Sequence, residues 1–134
     1  MLAREIMGKV KAPRKTANCR DIAMKLLSKE YSSLPVVDDE GFVVGIISEF
    51  DILKALRAGR KLEEVTADEV MSRNPLCIDE DMPVERLIDL MTEKHLLRVP
   101  VVKDGRLAGT ISRHNILDSL VYHEFKESFW VLRD

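Results

Sequence analysis

The feature that most constrains the fold of this chain is an internal repeat at an offset of 64 or 65 residues. Four segments recur in the same order: residues 3–7 as 67–71, 34–37 as 99–102, 45–48 as 109–112, and 51–53 as 115–117. The offset is 65 for the second pair of segments and 64 for the other three. It returns to 64 in the acidic turn after the second pair, because residues 38–41 are one residue longer than residues 103–105. Small length changes at turns, with the flanking segments in phase, indicate two copies of one structural unit.

Each copy has the pattern of a β-α-β-β-α unit whose first strand is short. Apolar residues recur at helical spacing after Asn18 in the first copy and after Pro83 in the second, which predicts an amphipathic helix in each. A strand, a glycine-containing acidic turn and another strand follow. These strands are predicted over residues 34–37, 42–47, 99–102 and 106–111. A second helix is predicted to begin near Ser48 and Ser112.

The two copies are expected to pack on each other, because a unit of about 60 residues buries too little apolar surface to be stable alone. The predicted fold is therefore α+β, with the two β-α-β-β-α repeats packed sheet against sheet as an intramolecular pseudo-dimer. The expected boundaries are residues 1–57 for repeat 1, 58–65 for a polar linker, 66–121 for repeat 2, and 122–134 for a C-terminal helical extension. The extension holds Phe125, Phe129 and Trp130 and is expected to pack on the core or on a partner subunit.

The composition is that of a globular protein, with 46% apolar and 33% charged residues. The net charge of −2, with both signs interspersed, offers no general attraction to nucleic acid or to an anionic membrane, so neither is an expected partner. Arg4 and Glu5 interrupt any apolar core of a signal peptide. The isolated Cys19 and Cys77 are expected to be reduced thiols. A cytoplasmic location is the expectation.

Neither a metal site nor a catalytic centre is expected. The three histidines share no metal-binding spacing with the two cysteines. The chain contains no glycine-rich phosphate loop, no HExxH motif and no GxSxG motif. We therefore expect a protein that is not an enzyme.

In this order and spacing the repeated segments resemble the CBS domain family, named after cystathionine beta-synthase. The resemblance covers residues 3 to about 121 and is carried by the Ile-Met and Val-Met openings, the Pro-Val-Val strands, and Gly-x-x-Ser-x-x-Asp or -Asn before the second helix. A tandem pair in this family, a Bateman module, binds adenosine compounds in clefts between its repeats. The resemblance implies a stand-alone regulatory, energy-sensing module. It needs no cofactor and binds AMP, ADP or ATP, with S-adenosylmethionine ranked below these.

The resemblance assigns the ligand-binding side chains to Ser48 and Asp51 in repeat 1, and to Ser112 and Asn115 in repeat 2. A carboxylate accepts charge-assisted hydrogen bonds from both ribose hydroxyls, and a helix N-terminus favours a phosphate. Asn115 departs from the family pattern because it lacks the carboxylate. The Asp51 cleft is therefore expected to bind more tightly.

The resemblance also implies composite clefts, in which the opposite repeat holds the adenine. The residues expected to face Asp51 are Cys77, Ile78, Leu97, Arg98, Val99 and Pro100. The residues expected to face Asn115 are Ala12, Pro13, Ser33, Leu34 and Pro35. Arg98 and Arg113 are expected to supply positive charge for phosphates.

Alternatives remain open at this point. Ser48 to Asp51 is also a helix capping box, and Arg98 is equally a solvated arginine at a strand end. Three classes of function compete: a ligand-sensing module, a ligand-free interaction or oligomerisation module, and an enzyme. We rank them in that order. A homodimer and a separate effector protein are the expected protein partners.

Overall fold

The computed structural model describes residues 1–124, and its longer helices and strands follow the order that the repeat predicts. In chain order they are α1 (Ala3–Ile6), α2 (Cys19–Lys29), β1 (Ser33–Val37), β2 (Val43–Ser48), α3 (Glu49–Arg57), a 3-10 turn (Leu62–Glu64), α4 (Ala67–Val70), β3 (Ser72–Arg73), β4 (Ile78–Asp79), α5 (Val84–Glu93), β5 (Arg98–Lys103), β6 (Arg106–Ser112) and α6 (Arg113–Glu124). The α+β class is confirmed. The aromatic part of the predicted extension, with Phe125, Phe129 and Trp130, lies outside the described residues.

The chain divides into two compact units that do not coincide with the sequence repeats. The first unit contains Lys11–Leu76 and Gly105–Leu107. The second unit contains Met1–Val10, Cys77–Asp104 and the chain from Ala108 onward. Each unit therefore contains the opening segment of the other repeat, and the repeat boundaries drawn from the sequence remain an expectation.

The first unit is built on a three-stranded sheet in the order β1-β2-β3. Strands β1 and β2 are antiparallel, with Leu34 opposite Ile47, and the hairpin between them is as predicted. Strand β3 pairs antiparallel with β2. Helix α2 contributes Ile22 and Leu26, which are buried together with Leu34 and Ile47. Their burial stabilises this unit, since a fully buried Leu or Ile side chain contributes roughly 1.5–3 kcal/mol.

The second unit has a three-stranded sheet in the order β4-β5-β6. Strand β4 runs parallel to β5, with Ile78 opposite Val101. One cluster of buried side chains forms its core: Ala3, Ile78, Leu87, Met91, Val99, Val101, Ile111 and Ile116. The sheet and two helices of repeat 2 thus share their core with the opening segment of repeat 1.

The predicted opening strands are shorter than the other strands. In repeat 2 the opening strand is the two-residue β4, and in repeat 1 it is reduced to one parallel bridge between Arg14 and Val37. The predicted linker is also more ordered than its polar composition indicates. It contains the 3-10 turn and ends at the fully buried Val65, whose carbonyl accepts from the Cys19 N–H at 2.7 Å.

A close backbone approach explains the glycine that precedes each Ser motif. A Cβ on Gly45 would lie 2.8 Å from the Ser72 carbonyl oxygen, and a Cβ on Gly109 would lie 2.6 Å from the Gly8 carbonyl oxygen. Real Cβ atoms do not approach oxygen so closely, so only glycine fits at both places. These glycines hold the end of β2 or β6, and hence the Ser motif, against the opening segment in the same unit.

Candidate functional site

The first candidate motif, Ser48 to Asp51, lies where β2 passes into α3. The Asp51 N–H donates to Ser48 Oγ at 3.3 Å. In return, Asp51 Oδ2 accepts from the Ser48 N–H at 2.8 Å and from the Ser48 hydroxyl at 3.0 Å. The predicted capping box is present.

The cap occupies only one of the two Asp51 carboxylate oxygens. Both donors from Ser48 reach Oδ2, and within residues 1–124 no hydrogen bond reaches Oδ1. The side chain is half-buried. An ionised carboxylate accepts about four hydrogen bonds in all, so Oδ1 can still accept from a ligand while Oδ2 caps the helix.

The second candidate motif, Ser112 to Asn115, has the same cap at the start of α6. Asn115 Oδ1 accepts from the Ser112 N–H at 2.9 Å and from the Ser112 hydroxyl at 3.0 Å. A backbone N–H can only donate, so the amide oxygen must face it and the amide nitrogen must point away. Where Asp51 presents an acceptor, Asn115 therefore presents the two N–H donors of Nδ2.

Each motif is hydrogen-bonded through its backbone to the residue just before the first hairpin strand of its own repeat, which is β1 or β5. The Glu49 N–H donates to the Ser32 carbonyl at 3.0 Å, and the Arg113 N–H donates to the Leu97 carbonyl at 3.1 Å. This shared bond shows that the two motifs are structurally equivalent. It also brings the first residue of β5, Arg98, close to the Ser112 end of β6.

A groove of about 400 Å³ in the second unit brings several predicted residues together. Its lining consists of Leu97, Arg98, Ser112, Arg113, His114 and Leu117. Arg98 Nη1 donates to the buried Thr110 hydroxyl at 3.1 Å, which orients its guanidinium. The structure therefore groups Arg98 with Ser112 and Arg113 of its own repeat. The predicted association of Arg98 with Asp51 would join the two units and remains a prediction.

The other predicted residues differ in how deeply their side chains are buried within their units. Leu34, Pro35, Ile78, Val99 and Pro100 are buried in the strands, and Pro13 is buried beside β1. Ala12, Ser33 and Cys77 are half-buried, and Leu97 is exposed. The buried side chains belong to the cores, so those residues could meet a ligand mainly through their backbone. Burial raises the pKa of the Cys77 thiol, which keeps it protonated at neutral pH.

One apolar surface was not singled out from the sequence. Helices α2 and α3 expose four large apolar side chains along one groove, which we call the α2/α3 face: Leu27, Phe50, Leu53 and Leu56. Leu27 is 74% exposed and Phe50 71%. The signal available in the sequence was an excess of apolar residues beyond a single helical stripe. Exposed apolar patches of this kind commonly mark interaction surfaces.

Metal and membrane sites were searched among the described residues. No three His, Cys, Asp or Glu side chains of residues 1–124 lie close enough to share a metal ion. None of the helices in the same part of the chain is long and apolar enough to span a bilayer.

Comparison with known families decides the classification. The model of the CBS domain matches twice, over residues 3–58 and 67–122. The chain belongs to the CBS domain family. The family resemblance drawn from the repeated motifs is confirmed, and the paired Ser motifs lie within the matched CBS domains.

Curated CBS relatives include longer proteins. An uncharacterized protein of Methanopyrus kandleri is 33% identical over 104 residues, covering 76% of this chain and 53% of that protein. The L-aspartate semialdehyde sulfurtransferase of Methanocaldococcus jannaschii is 36% identical over 97 residues, covering 72% of this chain and 18% of that enzyme. The chain thus spans about half the length of the first relative and under a fifth of the second.

Solved structures of CBS pairs share the fold. The CBS domain pair of protein MJ0100, in complex with 5-methylthioadenosine and S-adenosyl-L-methionine, has a TM-score of 0.75 and 30% identity, and the match covers 92% of this chain and 98% of that one. The protein CBSX2 in complex with AMP has a TM-score of 0.79 over 92% of this chain and 98% of its own, at 23% identity. The second likeness concerns the fold alone. The predicted CBS-pair fold is confirmed.

Proposed function

We propose that the chain is a regulatory module that binds adenosine-containing nucleotides, with AMP, ADP or ATP as ligands, at its Ser48–Asp51 and Ser112–Asn115 motifs. The observation that carries the proposal is the half-used carboxylate of Asp51. Its Oδ2 completes the helix cap, while its Oδ1 has no donor among the described residues. Such an oxygen suits the ribose hydroxyls, since hydrogen bonds to charged groups are about twice as strong as neutral ones.

The chemistry of the surrounding groups supports the same ligand class. The first turn of α3 or α6 offers backbone N–H groups and the positive end of a helix dipole to a phosphate. Arg98 and Arg113 line the groove beside Ser112 and add positive charge. MJ0100, the 30%-identical CBS pair, was solved with two ligands that both contain adenosine. The ribose and the phosphate of such a nucleotide thus each have a partner among these groups.

The composite arrangement remains part of the proposal. Adenine would be held by the opposite repeat, through the backbone of Ile78, Val99 and Pro100 for the Asp51 cleft and of Pro13, Leu34 and Pro35 for the Asn115 cleft. The ligand would then bias a two-state arrangement of the repeats, because it contacts both. A separate effector protein would respond to that change, and no cofactor is required.

A thermal-shift panel of AMP, ADP, ATP and S-adenosylmethionine, with GTP as the control, tests the proposal. A ligand at 100 times its dissociation constant raises the free energy of unfolding by about 2.7 kcal/mol. We expect a shift with at least one adenosine compound and little with GTP. No shift with any adenosine compound at millimolar concentration would remove the proposal.

The second candidate function is a ligand-free interaction or oligomerisation module, which the α2/α3 face favours. The proposed partner is a second copy of the chain, forming a homodimer. The test is the mass in solution by light scattering, for the wild type and for Phe50→Lys with Leu53→Lys. We expect a dimer that the double variant converts to monomers. A dimer that persists in the variant would show that another surface joins the copies.

A further inference from the structure

Each unit has a groove between its two longer helices, and equivalent positions line the two grooves. In the first unit α2 contributes Ala23, Leu26 and Leu27, and in the second unit α5 contributes the residues 65 positions later, Ile88, Met91 and Thr92. From the other helix, Leu53 of α3 corresponds to Leu117 of α6 at an offset of 64. The groove between α5 and α6 has a volume of about 390 Å³. The two grooves can therefore be compared position by position.

In the first unit the segment that follows α3 returns to the helix pair. Gly59, with φ at 78°, ends the helix, and its N–H donates to the Leu56 carbonyl at 2.9 Å. Leu62 of the 3-10 turn then lines the groove. Val65, which ends the segment, is fully buried, and its carbonyl accepts from the Cys19 N–H at the start of α2. Repeat 1 thus lays the chain that leaves α3 against its own helix pair.

The matching segment of repeat 2 is the C-terminal extension. Residues 125–134 follow α6 and contain Phe125, Phe129 and Trp130. At the offset of 64, Phe129 corresponds to the buried Val65 of the first return. The extension therefore carries large aromatic residues in the stretch of sequence where the return in repeat 1 carries aliphatic ones.

An exposed apolar stripe on α6 runs from the groove to the end of the helix where the extension begins. Leu117 is 62% exposed, and Val121, one turn later, is 40% exposed. Ile116, next to Leu117, is buried in the core of the unit, so α6 is apolar on more than the side that packs on that core. Exposed apolar residues at i and i+4 form one stripe on a helix surface and mark a place where another segment packs.

The extension is long enough to reach the groove. Leu117 lies seven residues before Glu124, the last residue of α6, which is a rise of about 10 Å along a helix. Phe129 lies five residues beyond Glu124, and five extended residues span about 17 Å. The aromatic pair Phe129 and Trp130 can therefore return past Leu117.

We propose that the extension returns along α6 and places Phe129 and Trp130 in the α5/α6 groove of the same chain. The lining suits aromatic rings, because Arg113 offers a cation to a ring face and Met91 offers a thioether. Docked there, the extension covers the exposed stripe of α6 and leaves the α2/α3 face as the apolar helix pair open to a partner. The inference does not depend on ligand binding at the Ser motifs, and it goes beyond the proposed function because it assigns an occupant to a second surface.

Tryptophan fluorescence tests the docking, because Trp130 is the one tryptophan of the chain. In the wild-type protein we expect blue-shifted emission and weak quenching by acrylamide, both unchanged on dilution, since the contact lies within one chain. Leu117→Lys and Thr92→Lys each place a charge in the groove, and each should shift the emission to the red and increase the quenching. Both side chains are exposed, so both variants should keep the urea unfolding transition of the wild type.

Leu53→Lys is the matched control, because Leu53 is the equivalent residue of α3 and is 58% exposed. We expect it to leave the emission of Trp130 unchanged. Emission of the wild type that is already red-shifted and fully quenched would overturn the proposal, as would unchanged emission in both groove variants. An emission that responds to Leu53→Lys and not to Leu117→Lys would overturn it by placing the extension on the α2/α3 face. A red shift of the wild type on dilution would place the extension on a second copy of the chain instead.

Discussion

Replacing Asp51 by Asn and by Ala separates helix capping from ligand binding. Asn115 shows that an Asn at this position accepts both capping bonds, at 2.9 and 3.0 Å. Asp51→Asn should therefore keep the cap while its outward-facing acceptor becomes an NH2 donor. Asp51→Ala removes both the cap acceptor and the ligand acceptor. Both variants thus lose the acceptor for the ligand, and only the Ala variant also loses the helix cap.

The magnitudes follow from the bonds involved. Loss of the Asp51 cap acceptor in the Ala variant should cost about 0.5–1 kcal/mol of unfolding free energy, near the low end for helix caps. The Asn variant should be as stable as the wild type within about 0.5 kcal/mol. Each charge-assisted bond from the ribose is worth roughly 1.5–3 kcal/mol, and these values are not additive. Since about 1.4 kcal/mol is a factor of ten, both variants should weaken binding by about tenfold or more.

The assay combines urea unfolding with calorimetry. The ligand is the tightest binder among AMP, ADP and ATP, all of which offer the ribose hydroxyls. We expect the Asn variant to keep the stability and lose the affinity, and the Ala variant to lose both. An Asn variant that binds as tightly as the wild type would refute the assignment of Asp51 to the ribose. Asp51 would then act as a cap alone, and the interaction-module function would take first place.

Two further predictions concern the stability of the units and are measured by urea unfolding. Gly45→Ala should lower the free energy of unfolding by about 1–3 kcal/mol, because its Cβ would lie 2.8 Å from the Ser72 carbonyl oxygen. Gly8→Ala, with no atom closer than 4.0 Å, is the control, and equal losses in the two variants would contradict the close-approach argument. Glu30→Gly should raise the free energy of unfolding by about 0.5–1 kcal/mol, since Glu30 ends α2 with φ at 56°. Glu30→Ala keeps the Cβ and should not gain, so a gain in both variants would point to the lost charge instead.

Local signals in the sequence were sufficient to predict the two hairpin strands and the two longer helices of each repeat. β1 was expected over residues 34–37 and is Ser33–Val37, and β2 was expected over 42–47 and is Val43–Ser48. The acidic glycine turn and the apolar runs around it are short-range features. The opening segments were harder, because β3 pairs with β2 of the other repeat. Such pairing depends on residues distant in sequence, and no local pattern reports it.

The capping motif was also predictable from neighbouring residues in the sequence, but the orientation of the Asp51 carboxylate within it was not. The spacing of Ser48 and Asp51 predicts a cap, while the convergence of both donors on Oδ2 requires coordinates. Helix α3 shows a similar limit. Ile52 and Leu53 both read as apolar helix positions, yet Ile52 is buried and Leu53 is exposed. A helix with apolar residues on more than one side does not reveal from periodicity which side faces the core.

The most direct test of the central claim is a calorimetric titration of the wild-type protein with ATP and with GTP under the same conditions. The account predicts saturable heats with ATP and much weaker binding of GTP. The reason is that the backbone of the apolar strand around Val99 and Pro100 can pair with an adenine edge, whereas guanine presents a different pattern of donors and acceptors. Equal heats and affinities for ATP and GTP would contradict an adenosine-binding module.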